Sequence, residues 1–147
     1  MQIKMKKSTL AVICLIAISV AAFTSCKKKK DPSAQSMITG KWKITSTGTD
    51  LNGNGIFDAS EVSPTDTFYN NLVITFNSNG TGNSTYYGLT EGLFSWALSN
   101  GNAYMDITDT GSYGSTTHLR IDKLSSTSMT LKDTAGGTVN WDVFAKQ

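Results

Sequence analysis

The chain has 147 residues, with 13 Lys+Arg, 11 Asp+Glu, one His and two Cys, for a formal charge of +2, and that length supports one domain of ordinary size. Seven basic residues (Lys4, Lys6, Lys7 and Lys27 to Lys30) fall in the first thirty positions, whereas from Asp31 onward 6 basic residues face 11 acidic ones, a balance of −5. A body of that sign lacks the basic stripe that phosphates need, which argues against nucleic acid as a partner.

The first element is an address. Lys4, Lys6 and Lys7 precede an apolar run from Leu10 to Phe23 broken only by Ser19, with the flanks of a secretory leader. It is too short to span a bilayer, which needs ~20 apolar residues. The following Phe23-Thr24-Ser25-Cys26 resembles the lipobox of bacterial lipoproteins, with Phe23 where Leu is usual. The resemblance implies a signal peptide over residues 1–25 and a diacylglycerol on the Cys26 thiol that anchors the protein to a membrane. The alternative is a secreted protein with a free Cys26. Residues 26–36 form a Lys-rich tether, either a solvated spacer or a patch attracted to anionic headgroups. Surface export in such lipoproteins is associated with acidic residues after the cysteine. Lys27 to Lys30 depart from that, so the expected place is the outer membrane, on its periplasmic face. Cys14 leaves with the leader, so the mature domain has no disulfide and relies on its core or on a metal.

Residues 37–147 read as an all-β domain. Short alternating segments recur at Gly40 to Thr47, Leu72 to Phe76, Ser84 to Leu89, Leu93 to Leu98, Ala103 to Thr108, Thr116 to Leu124, Met129 to Asp133 and Thr138 to Ala145. Asn100-Gly101 is the strongest hairpin signal, because a type I′ turn needs positive φ at both positions. Eight strands joined by short turns predict an up-and-down antiparallel barrel or a sandwich. The last strand is read with Val139, Trp141 and Val143 on one face and Asn140, Asp142 and Phe144 on the other.

One connection, residues 48–70, is too long for a hairpin, and loops of that length usually carry a site. Within it, Asp50-Leu51-Asn52-Gly53-Asn54-Gly55-Ile56-Phe57-Asp58-Ala59-Ser60-Glu61 matches the EF-hand calcium loop, a match expected by accident with a probability on the order of 10⁻⁴. Calcium wants six to eight hard oxygens. Asp50, Asn52 and Asn54 supply them through short side chains, Ile56 through its carbonyl, Asp58 directly or through water, and Glu61 as the bidentate closing ligand. The competing reading is a loop that only turns, because Asp, Asn and Gly are also the turn formers. A strand precedes the loop and Pro64 comes soon after it, so the flanking EF-hand helices are missing. The loop more closely resembles those of dockerins and thrombospondin-type repeats.

The run Ile38-Thr39-Gly40-Lys41-Trp42-Lys43-Ile44 looks like the G-x-W opening of a lipocalin. Phe76 to Gly82, Trp96-Ala97-Leu98 and Leu124 to Leu131 resemble strand-turn pieces of the small lipocalin-like lipoproteins of Bacteroidetes. That resemblance implies an eight-stranded barrel closed where Trp42 packs, with the long loop over the open end. Lipocalins usually stack an Arg from the final strand region on the first Trp, whereas the sole Arg here is Arg120. Trp42, Phe76, Phe94, Trp96 and Trp141 either fill the barrel or line a pocket for a small lipophilic ligand.

Catalysis is not expected. The mature chain has no thiol, and its one His, His118, is in phase with the outward side of its strand. The expected function is binding of a small apolar or amphipathic ligand by an anchored monomer. The alternative is an accessory envelope lipoprotein that engages a protein or glycan through its outer surface.

Overall fold

The computed structural model describes residues 31–64, 67–111 and 114–147. The residues expected to form a signal peptide, and Cys26, lie outside them. The chain divides into Met1–Asp31 and a compact unit, Pro32–Gln147, which carries every element named in this section.

The unit opens with helix α1 (Ala34–Ile38), whose N-cap Ser33 side chain accepts a hydrogen bond from the Ser36 N–H. Then come β1 (Gly40–Thr49), β2 (Val62–Pro64), helix α2 (Thr67–Asn71), β3 (Leu72–Phe76), β4 (Thr81–Tyr86) and β5 (Leu89–Ser99). The chain ends with β6 (Tyr104–Asp109), β7 (Thr116–Leu124), β8 (Ser128–Asp133) and β9 (Asn140–Lys146). β1 pairs antiparallel with β3, each strand from β3 to β8 pairs antiparallel with the next, and β9 returns to β1, which closes an eight-stranded barrel; β2 is an extra strand laid against Ser46 to Gly48 of β1. Closure pairs the edges that an open sheet would expose.

The expected strands are present, with two boundary corrections. Ser84 to Leu89 is not one strand: it contains a hairpin turn at Tyr87-Gly88, where φ is 48° and 80°. The Asn100-Gly101 hairpin forms, but its loop runs through Asn102 and Ala103, with Asn102 also at positive φ. Helix α1, which overlaps the end of the stretch read as tether, is part of the compact unit.

Alternation decides what faces inward. Trp42, Ile44, Phe76, Trp96, Met105, Met129, Leu131 and Phe144 form one buried cluster with Ile38 of α1. The Trp42 Nε1–H donates to the Ile38 carbonyl, so α1 plugs the end where β1 begins. The Trp96 Nε1–H is shared by the carbonyls of Asn77 and Thr81, both 3.1 Å away, on the hairpin beside α1. Three strands carry a bulge, where one extra residue switches the next residues of the strand to the other face. In β1 it is Thr45, because Ile44 pairs with Phe144 but Ser46 with Val143. Thr47 therefore faces inward and Gly48 outward. Among the described residues no helix is long and apolar enough to cross a membrane.

Candidate functional site

The two barrel ends differ. At the α1 end the inward aromatics are sealed, with Trp42 at 0%, Phe76 at 1% and Trp96 at 6% exposure, while a surface hollow of about 500 Å³ lies outside them between α1, the Ser78–Gly80 turn and Leu98. Toward the opposite end, Leu72, Phe94 and Ile107 pack on that cluster but remain partly open. A cleft of about 230 Å³ opens there between Gly92, Phe94, Ile107, Asp109 and Thr117. Gly82 on β4 shapes it: a Cβ there would collide with the Phe94 ring and lie 2.6 Å from the Thr75 carbonyl oxygen. The bare backbone lets that ring lie flat on the wall.

Of the five aromatics expected to line a pocket, four come together. Phe76 meets Phe94 at 5.4 Å and Trp96 at 5.5 Å, both edge to face, and Trp42 joins the same cluster. Only Phe94 borders the cleft, and the other three are buried in the core cluster. Trp141 is the correction. Strand β9 is regular, so Trp141, three residues from inward Phe144, stands on the outer wall. It is still only 1% exposed, because Phe57 of the long loop covers it at 5.3 Å between centroids. Gly48, its partner on β1, leaves room for this: a Cβ would collide with the Phe57 ring.

The Asp-rich loop therefore lies against the outside of the barrel. Lys132 on β8 fixes it there, its Nζ 5.2 Å over the Trp141 ring and donating to the Gly55 carbonyl at 3.0 Å. The Asp-rich half is thus not the expected lid, and only the second half of the connection lies at the open end. Helix α2 precedes β3 at that end, and its Tyr69 packs on the core.

Within the loop, the residues expected to hold calcium bind one another. Asp50 accepts from the N–H groups of Gly53 (2.6 Å) and Gly55 (2.8 Å). Asn52 accepts from the Asn54 N–H and Asn54 from the Ile56 N–H, while both Asn amide groups donate to Asp58 Oδ2, at 3.2 and 2.8 Å. Glu61 is 5% exposed and accepts from the N–H groups of Leu51, Asn52 and Asp58, which ties the start of the loop to its end. Ile56 is an exposed residue of the same turn. Among the described residues no three His, Cys, Asp or Glu side chains gather as a metal-holding group.

Three features were not anticipated. Lys146, the last residue of β9, sits with its Nζ 5.2 Å over the Trp42 ring and donates to the Met37 carbonyl at 2.7 Å. The cation stacked on the first Trp is thus a Lys, while Arg120 lies on β7 opposite outward Tyr104. Asp142 faces inward, because its cross-strand partner Leu131 belongs to the core. Burial pushes its carboxyl above the usual carboxylate range, and the charge of nearby Asp133 adds to that. Finally, His118 faces outward as expected, but in a group: its Nδ1 pairs with Asp106 and its ring stacks on Tyr104 at 4.5 Å. This His118 bond holds the Asp106 carboxyl below its ordinary value.

No protein-family model matches the chain, and no curated protein matches it. Solved structures do. A lipocalin-like protein from Bacteroides uniformis ATCC 8492 is 15% identical, with a TM-score of 0.52 over 76% of this chain and 99% of its own. An uncharacterized protein from Bacteroides eggerthii DSM 20697 is 14% identical, with a TM-score of 0.51 over 75% of this chain and 99% of its own. The closed eight-stranded barrel and these neighbours together give the chain a lipocalin-like fold.

Proposed function

We propose that this protein is a non-enzymatic binder, anchored through a lipid on Cys26 to the periplasmic face of the outer membrane, whose barrel takes up a small apolar or amphipathic ligand. The observation that carries the reading is the uneven filling of the interior. One end is sealed by Trp42, Phe76 and Trp96, while the other leaves Phe94 and Ile107 beside an open cleft. The neutral probe N-phenyl-1-naphthylamine tests it. Its fluorescence is expected to rise with the folded protein and not with Ile107→Trp, which fills the cleft. A folded wild type that leaves the probe dark overturns the reading. Mass spectrometry of the Cys26 peptide tests the anchor, and an unmodified thiol in membrane-extracted protein argues against it.

Calcium belongs to the same proposal. The donor set fits a hard cation: Asp50, Asn52, Asn54, Asp58 and Glu61 place oxygen-bearing side chains on one short loop, and Ile56 adds a carbonyl. Without a cation, the amide hydrogens of Asn52 and Asn54 are what offset the Asp58 charge. A bound ion supplies that charge and joins the two ends of the loop. Millimolar calcium is expected to raise the melting temperature, and Glu61→Gln to abolish the rise. No shift in the wild type counts decisively against the site.

A second reading has its own observation. Tyr87, Leu89 and Leu93, on the β4–β5 hairpin at the open end, are 65%, 70% and 61% exposed. Exposed apolar groups gathered on one hairpin suit an envelope protein or glycan partner. Crosslinking from position 89 in intact cells tests it, and an absence of adducts sinks it.

A further inference from the structure

The connections at the two ends of the barrel differ in charge. At the sealed end the turns Asn77 to Gly80, Asn100 to Ala103 and Ser125 to Thr127 join strands, and none carries a charged side chain. No carboxylate lines the hollow between α1 and the Ser78–Gly80 turn. Lys41 and Lys123 are exposed at this end and Lys146 lies over the Trp42 ring, with Asp122 as the carboxylate beside them. Toward the mouth, every connection between strands carries an acid or is flanked by one. Asp50, Asp58 and Glu61 follow β1 on the outer wall, Glu91 follows the Tyr87-Gly88 turn, and Asp109 and Asp133 close β6 and β8. Asp142 faces inward in the same half. The cation there among the described residues is Lys132, which is already engaged with the Gly55 carbonyl.

The chain enters the compact unit at the sealed end, where Ser33 caps α1. Seven peptide units separate Ser33 from Cys26, a reach of at most ~25 Å at full extension. Along that path lie four cations, Lys27 to Lys30, against Asp31. The barrel is as tall as this segment can reach, since the 11 residues of β5, tilted by ~40°, rise roughly 27 Å along the axis. A pose with the mouth on the membrane therefore needs the tether pulled straight along the whole wall. It also presses the acids of the mouth against the headgroups. With the sealed end down, a slack tether suffices. Lys41 and Lys123 then join Lys27 to Lys30 near the surface, while the mouth stands beyond the Debye length of ~10 Å.

Resting on the reading that Cys26 carries a lipid, we propose that the sealed end docks on the anionic phospholipid headgroups of the anchoring membrane and that the mouth opens away from them. The ligand then enters from the aqueous side rather than from the leaflet that holds the anchor.

The lipidated full chain in vesicles tests this, with a thiol-reactive fluorophore on Ser78→Cys at the sealed end or on Thr90→Cys beside the mouth, both exposed positions. The quencher is a phosphatidylcholine with a nitroxide on its headgroup, in vesicles of phosphatidylcholine mixed with phosphatidylglycerol. Position 78 is expected to be quenched about 3-fold more strongly than position 90, or better, because only the sealed end lies within reach of the headgroups. On phosphatidylcholine alone, and in Lys41→Glu/Lys123→Glu, quenching at 78 is expected to fall by about half, because the charged contact holds that end down. Equal quenching at the two positions, or stronger quenching at 90, overturns the orientation. Quenching at 78 that ignores both the lipid charge and the Lys substitutions overturns the docking. A chain that does not float with the vesicles fails the anchor reading itself, whereas one that floats with its mouth quenched fails this proposal alone.

Discussion

The two ends of the barrel are made of the same strands yet do opposite things. At the α1 end every inward aromatic is sealed, and each indole N–H of Trp42 and Trp96 is satisfied by a backbone carbonyl. At the other end the inward positions mix Phe94 and Ile107 with Thr47, Thr117 and three Asp, and a cleft remains. Sealing depends on plugs that fit. Ile38 enters the barrel axially from α1, which side chains from the wall alone do not achieve. The difference teaches where stability and where binding reside.

Truncating the plug gives the largest effect. Trp42→Ala removes the side chain on which Ile38, Ile74 and Lys146 converge, and a loss of about 3–5 kcal/mol is expected by denaturant unfolding. Phe94→Ala at the open end is expected to cost about half as much, because its ring is partly in water already. Equal losses break the comparison.

Phe57→Ala ranks next and separates the wall from the interior. It uncovers Trp141 without touching the core, so about 1–2 kcal/mol is expected, a fraction of a full core deletion. Trp141 emission is expected to shift to longer wavelength. Gly48→Val is expected to do the same by pushing the Phe57 ring away. If either variant instead blocks probe uptake at the mouth, the loop acts on the interior and the two regions are not independent.

Much of the sealed end was legible in the sequence. Trp42 and Ile44, Leu72 to Phe76 and Phe94 to Leu98 alternate cleanly, and alternation fixes a face wherever only one face is apolar. Strand β9 defeats that rule, since Trp141 and Val143 on one side compete with Phe144 on the other. The tie is broken by cross-strand pairing, Phe144 lying opposite inward Ile44 and Met129, which no local pattern announces. The helices were invisible because five residues hold little more than one turn of any apolar period. The Tyr87-Gly88 turn was missed because Tyr rarely takes positive φ. The loop motif was legible as a list of oxygens, but its seat on the outer wall depends on Phe57 and Lys132, which lie outside the motif's defining positions.

Lys146→Met probes the sealed end more gently. It keeps much of the aliphatic stem and removes the cation over Trp42, for which about 0.5–1 kcal/mol is expected, together with loss of the bond to the Met37 carbonyl. Lys146→Arg retains a cation and is expected to recover part of that loss. A neutral Met variant means the cation contributes nothing and the stem alone closes the end.

The smallest effect belongs to the open end and has the opposite sign. The Asp142 carboxyl is raised above its ordinary value of 3.8 by burial and by Asp133, so the folded state holds a proton that the unfolded chain has already released. Stability is therefore greatest below the unfolded value and falls as pH rises through the raised folded one. Asp142→Asn removes this slope, and above the folded value it is expected to be modestly more stable than the wild type, with no difference at lower pH. The acid limb carries an opposing contribution from Asp106, whose carboxyl is lowered by His118 and whose share is lost as pH falls. The two are separated by His118→Gln, which affects only the second. If Asp142→Asn is instead destabilising at neutral pH, the carboxylate has a partner within the folded chain and belongs to the barrel's own bonding.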